Sequence, residues 1–176
     1  MKITAIQGIM LRCTCSPISD ALSTSTARQA LLVKIETDAG LYGIGEAFTY
    51  GAPLKIMKYL VEEQLGPMLI GQDPAEIEKH WNTMYWRTIA HGRRSMTMGA
   101  ISGIDIALWD LLGKEAHMPV CKLLGQHLDR VPSYASGGFY APGKDLHKLE
   151  EELEHYKAQG YRDMKIKIGR TLERSN

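Results

Sequence analysis

The sequence predicts an α+β domain followed by the start of an α/β domain. Three observations carry this. Apolar residues alternate in short β-rich runs over the first fifty positions. Helical-period apolar stripes occupy residues 54–116, and from residue 131 the pattern turns to strand, helix, strand.

Residues 2–12 are β-rich and read as a strand. Cys13–Arg28 is polar, with Ser16-Pro17 and the run Ser23–Thr26, and reads as a loop long enough to act as a lid. Ala30–Thr37 is a second strand. Asp38-Ala39-Gly40 supplies turn chemistry, and Leu41–Phe48 is a third strand, completing an antiparallel meander. Leu54, Met57, Leu60, Val61 and Leu65 recur at helical spacing until Gly66-Pro67. Asp73-Pro74 reads as an N-cap followed by proline at the first helical position, opening a helix to about Thr88. Its stripe of Ile77, Trp81, Met84, Tyr85 and Thr88 is a core face. Residues 97–116 form the strongest helix, with Ile101, Ile104, Leu108, Leu111 and Leu112 on one side. Val131–Ser136 is a strand and Gly137–Gly143 a loop. Asp145–Gln159 is a helix with Leu146, Leu149, Leu153 and Tyr156 facing inward, stopped by Gly160, and Asp163–Ile168 is another strand. Strand, helix, strand implies parallel pairing.

The 176 residues are 44% hydrophobic and 23% charged, a globular balance, and the net charge of +1 offers no electrostatic case for nucleic acid or an anionic membrane. The N-terminus lacks the apolar run of a signal peptide, and no stretch reads as a transmembrane span. Cys13, Cys15 and Cys121 form no disulfide framework, which fits a reducing cytoplasm. Cys13 and Cys15 lack a second pair to complete a metal site, and the six histidines show no zinc spacing. Gly43-Ile44-Gly45 sits in a hairpin strand and opens no helix, which excludes a dinucleotide loop.

The segment Ala100–Gly125 reads AISGIDIALWDLLGKEAHMPVCKLLG. It resembles the signature of the mandelate racemase and muconate-lactonizing group of the enolase superfamily, with many positions matching at fixed spacing. Most of it is packing. Asp105 and Asp110, five apart, lie on different lines of their helix and read as structural or solvated carboxylates. The resemblance implies an enolase-type capping domain over residues 1–129 and, over 130–176, the first βαβ unit of an incomplete (β/α) barrel.

Taken alone, Lys165-Ile166-Lys167 is an amphipathic strand with a solvated lysine face. In the resembled family it is the Lys-x-Lys pair ending the second barrel strand, with both lysines inside the barrel. That resemblance implies Lys167 as the base taking the proton next to a substrate carboxylate. Lys165 would hold the carboxylate and favour the neutral form of Lys167. Ser136, at the end of the first barrel strand, and Thr24 and Tyr50, in the capping loops, are implied substrate contacts.

The implied activity is that of a Mg²⁺-dependent lyase or isomerase, an acid-sugar dehydratase or a racemase. Its substrate would be a small carboxylate, and a homo-oligomer is expected. The implied Mg²⁺ ligands and second acid/base belong to later barrel strands, whereas the sequence stops nine residues after Lys167. A whole barrel takes about 250 residues. The end therefore reads as a truncation. The chain by itself is expected to be inactive, with residues 130–176 docking on a partner, rearranging or staying poorly ordered. The alternative is a capping-domain fragment with only a structural or partner-binding role.

Overall fold

The computed structural model describes residues 1–49 and 51–169. The chain divides into two compact units. The first comprises Met1–Arg12 and Gln29–His127, and the second Cys13–Arg28 together with the chain from Leu128 on. Residues 13–28 thus group with the later segment rather than with the rest of the sheet.

The first unit holds the antiparallel sheet, ordered β1 (Ile3–Ser19), β2 (Thr24–Thr37), β3 (Tyr42–Ala47). β1 and β2 run on into the second unit, so the polar stretch expected as a loop at Cys13–Arg28 is mostly strand. Only the turn after Ser19 remains, where the Asp20 carboxylate accepts from the amides of Leu22 and Ser23. Polarity there reflects two solvated strand faces rather than an irregular chain.

On the buried face, Leu31, Val33 and Ile35 of β2 stand opposite Ala47, Gly45 and Gly43 of β3. Large residues on one strand thus face small ones on the next, and the small strand receives helix α3 (Met96–Glu115). Contact there is backbone on backbone. A Cβ on Gly43 would lie 2.0 Å from the Ala107 carbonyl oxygen, and one on Gly45 2.1 Å from that of Gly103. Gly103 in turn lies against Ala47, and Gly99 against the Phe48 carbonyl. Gly99, Gly103 and Ala107 follow at four-residue spacing, the ridge that one strand can track. The glycines of β3 and of the signature helix therefore answer one another. Ile101, Ile104, Leu108 and Leu111 fill the core beside this seam. By length and composition α3 would also suffice to cross a membrane, contrary to the reading of the sequence, but most of its apolar residues, Ile106 excepted, pack into or against this core.

Helix α1 (Leu54–Tyr59) continues as a π-helical turn (Leu60–Leu65) and a short 3₁₀ turn (Gly66–Met68). Helix α2 (Ile77–Gly92) starts three residues later and ends four residues later than expected. Asp73 does not cap it; its carboxylate accepts from the Ala75 amide, closing a separate turn before the helix. Short helix α4 (Val120–Leu123) follows α3.

Both edges of the sheet are met by a carboxylate–lysine pair four residues apart on a helical segment. At the β1 edge, Glu62 accepts from the Gly8 amide at 2.8 Å, and Lys58 donates to the Gly8 carbonyl at 2.7 Å. At the β3 edge, Asp110 accepts from the Ile44 amide at 2.7 Å, and Lys114 donates to the Tyr42 carbonyl at 2.9 Å. Each pair also bridges internally, at 2.7 Å and 2.6 Å. Backbone groups that would otherwise template another strand are thus occupied. Asp110 is structural, as read; Asp105 is half-buried, and burial raises its pKa above the ordinary carboxyl value.

In the second unit, β4 (Ala135–Ser136) pairs in parallel with β5 (Met164–Lys165), and helix α5 (Leu146–Ala158) connects them. The βαβ order is as predicted, but both strands are shorter than the expected 131–136 and 163–168. Asp145 caps α5 by accepting from the Lys148 amide at 3.0 Å, and Gly160, with φ of +93°, ends it. Leu146 does not face inward; it is 84% exposed. It opens the first turn of α5, a helix that buries none of its residues. Ile166 and Ile168 are exposed as well.

Candidate functional site

The second unit brings together three of the five residues singled out in the sequence. Ser136 ends β4, and the register places it opposite Lys165 on β5. Lys167 lies two residues past the end of β5, and its Nζ reaches the Ser136 Oγ at 3.4 Å. Ser136 and Lys167 therefore meet beyond the C-terminal ends of two parallel strands, where α/β folds bind ligands. Lys165 is exposed.

Thr24, at the start of β2, exchanges a hydrogen bond with Ser19 at 2.8 Å, within the hairpin arm. Ser19 also forms an antiparallel bridge with Tyr140, with N–O distances of 2.8 and 2.9 Å. The arm thus joins the loop after β4 through backbone bonds. Tyr50 lies outside the described residues.

That loop adds residues the sequence did not mark. The Phe139 ring lies 4.5 Å from the Lys167 Nζ and 5.4 Å from the Arg28 guanidinium carbon. Lys144 pairs with Glu152 and donates to the Phe139 carbonyl at 2.9 Å. Glu152 accepts from the Gly138 amide at 3.0 Å and the Tyr156 hydroxyl at 2.8 Å. Burial alone would raise the Glu152 carboxyl. The hydrogen bonds from Lys144, Gly138 and Tyr156, with the charge of Lys144, outweigh it and hold the group below its ordinary value. Tyr156 is pushed up, first by donating to Glu152. A cavity of about 210 Å³ opens here, lined by Phe139, Tyr140, Lys144, Leu146, Leu149 and Lys167. The doublet Gly137-Gly138 just after a strand was the available signal, since two adjacent glycines mark a place where other groups approach the backbone closely.

Among the described residues, no group of three or more His, Cys, Asp or Glu side chains is placed to hold a metal ion. Asp145, the acidic residue that lines the cavity, accepts from the Lys148 amide as the cap of α5, and Glu152 is committed to Lys144, Gly138 and Tyr156. The described residues do not fit a Mg²⁺ site.

Residues 5–125 match the model of the mandelate racemase / muconate lactonizing enzyme N-terminal domain. The chain is 40% identical over 141 residues to an arabinonate dehydratase of Saccharolobus solfataricus, covering 80% of this chain and 38% of that protein. It is 37% identical over 174 residues to a D-mannonate dehydratase of Novosphingobium aromaticivorans, covering 96% and 38%. Among solved structures, an enolase-superfamily member from Polaromonas sp. JS666 superposes with a TM-score of 0.86 at 35% identity, over 96% of this chain and 44% of that one. The L-talarate/galactarate dehydratase of Salmonella typhimurium LT2, liganded with Mg and L-lyxarohydroxamate, superposes with a TM-score of 0.85 at 28% identity, over 97% and 45%. The chain thus spans less than half the length of these relatives. With the domain match, the meander and its signature helix α3 agreeing, the chain belongs to the mandelate racemase / muconate lactonizing enzyme family of the enolase superfamily.

Proposed function

We propose that this chain contributes the capping domain and the proton-abstracting lysine of an acid-sugar dehydratase. The observation that carries the reading is the meeting of Lys167 and Ser136 beyond the ends of β4 and β5, beside a cavity. The curated relatives support the substrate class, since those compared act on arabinonate and mannonate by name.

In this reading a neutral Lys167 takes the proton from the carbon next to the substrate carboxylate, and the electron pair passes into an enediolate. Loss of the neighbouring hydroxyl as water, with a proton from a group other than Lys167, gives an enol that becomes the 2-keto-3-deoxy acid. Lys165 offers a positive charge to the carboxylate, and Ser136 orients the Lys167 amine. Thr24 and Tyr50 remain proposed substrate contacts on the capping side. Racemisation would share the first step and return the proton to the opposite face; dehydration is favoured because the named relatives are dehydratases. Mg²⁺ dependence is supported by the liganded Salmonella enzyme, although the described residues here supply no ligand set.

The test is exchange of the α-proton of arabinonate, galactonate and mannonate in D₂O with Mg²⁺ present, alongside assay of the keto acid. Exchange that disappears in Lys167→Ala supports the proposal. Exchange unaffected by that substitution refutes Lys167 as the base. The lack of a metal-ligand cluster among the described residues favours a second reading, a domain with only a structural or partner-binding role. Absence of exchange with every acid sugar, and of Mg²⁺ binding by calorimetry, would select it.

A further inference from the structure

We propose that Glu152 and Phe139 are positioning residues that hold the end of the Lys167 side chain in place, an inference that rests on the assignment of Lys167 as the base. A lysine side chain is a flexible four-carbon stem whose end needs outside contacts to be fixed. Here the end is held from outside. Lys167 Nζ stands between the Ser136 hydroxyl at 3.4 Å and the Phe139 ring at 4.5 Å. A cation over an aromatic face within about 6 Å is attracted by the ring quadrupole.

The ring in turn is held by its backbone. Glu152 takes the Gly138 amide just before Phe139, while its ion-pair partner Lys144 takes the Phe139 carbonyl just after it. One carboxylate on α5 thereby brackets the Phe139 residue from both sides, and Tyr156 fixes that carboxylate from the next turn. The two preceding glycines make the arrangement possible. A Cβ on Gly137 would lie 2.5 Å from both the Glu152 Oε1 and the Tyr156 hydroxyl. Gly138 has φ of +65°, and a Cβ there would lie 2.7 Å from the Ile166 Cβ. A side chain at Gly137 would displace the Glu152 carboxylate and the Tyr156 hydroxyl, and one at Gly138 would press on Ile166 down to its backbone. Arg28 brings a second cation to the same ring, which ties the hairpin arm to this device.

The experiment is NMR of the chain after reductive ¹³C-methylation of its lysines, which keeps their charge, with the Lys167 signal assigned from Lys167→Arg. The expected result is a Lys167 methyl signal displaced upfield by the ring current of Phe139. The displacement should be lost in Phe139→Leu, retained in Phe139→Tyr, and reduced in Glu152→Gln. A Lys167 signal at the ordinary exposed-lysine position in the unsubstituted chain overturns the proposal, even if a variant fails to fold. A signal unchanged by Phe139→Leu or by Glu152→Gln also overturns it. This readout needs no turnover. Lys167-independent proton exchange would defeat the assignment of the base, while an unmoved resonance beside Lys167-dependent exchange would defeat the positioning role alone.

Discussion

The first unit is held by steric fit and the second by polar contacts. Around β3 and α3, core side chains are fully buried, and glycines let two backbones touch. In the second unit, Ala135 is the one buried apolar side chain besides glycine among the described residues, and α5 buries none. What organises that unit is the Glu152 carboxylate with its three donors. Burial of apolar area is the main stabilising term in folding, whereas a part-exposed ion pair contributes about 1 kcal/mol or less. Close packing therefore suits a platform, and a polar clamp suits a site whose parts must be aimed.

Substitutions should separate the two units. All three tryptophans, Trp81, Trp86 and Trp109, lie in the first, so their fluorescence follows it alone. Leu108→Ala should have the largest effect, about 2–5 kcal/mol in urea unfolding followed by tryptophan, because it empties a fully buried position. Gly45→Ala should cost about 1–3 kcal/mol by the same measurement, since its methyl meets a backbone oxygen that cannot move aside. A neutral result there would break the claim that the seam is backbone on backbone.

Asp110→Ala removes the acceptor of the Ile44 amide and should cost about 1–2 kcal/mol, with faster hydrogen exchange at Ile44 as the specific readout. For Glu152 the prediction is a pH dependence. The folded carboxyl titrates below its unfolded value, so its contribution is complete above the ordinary carboxyl range and fades as pH falls through the folded value. Gly138 amide protection should weaken by up to about 1 kcal/mol in acid while tryptophan fluorescence stays constant, and Glu152→Gln should flatten that dependence. The smallest effect belongs to Leu146→Ser, within about 0.5 kcal/mol, because the residue is exposed.

The signature helix was legible because packing of α3 requires apolar residues at helical period, and period survives in one dimension. Lys167 and Ser136 were singled out by resemblance alone, because alternation by itself gives the lysines a solvated strand face. Glu152, Phe139 and Lys144 were not. They are spaced irregularly across a loop and a helix, and a glutamate in α5 looks like any solvated helix face. The start of α2 was misread because Asp73-Pro74 carries good capping chemistry, yet Asp73 uses it on a turn. The arm at Cys13–Arg28 was misread because strands with solvated faces share a loop's composition.

By itself the sequence determined the order of elements, the parallel sense of the last two strands and the family. Each of these depends on local periodicity or on residues at fixed spacing. Only the tertiary structure decided that Gly43 and Gly45 serve helix contact, that Asp110 guards a sheet edge, and that Lys167 is held between Ser136 and Phe139. Those outcomes depend on distances between residues far apart in the chain, which spacing along the sequence does not encode.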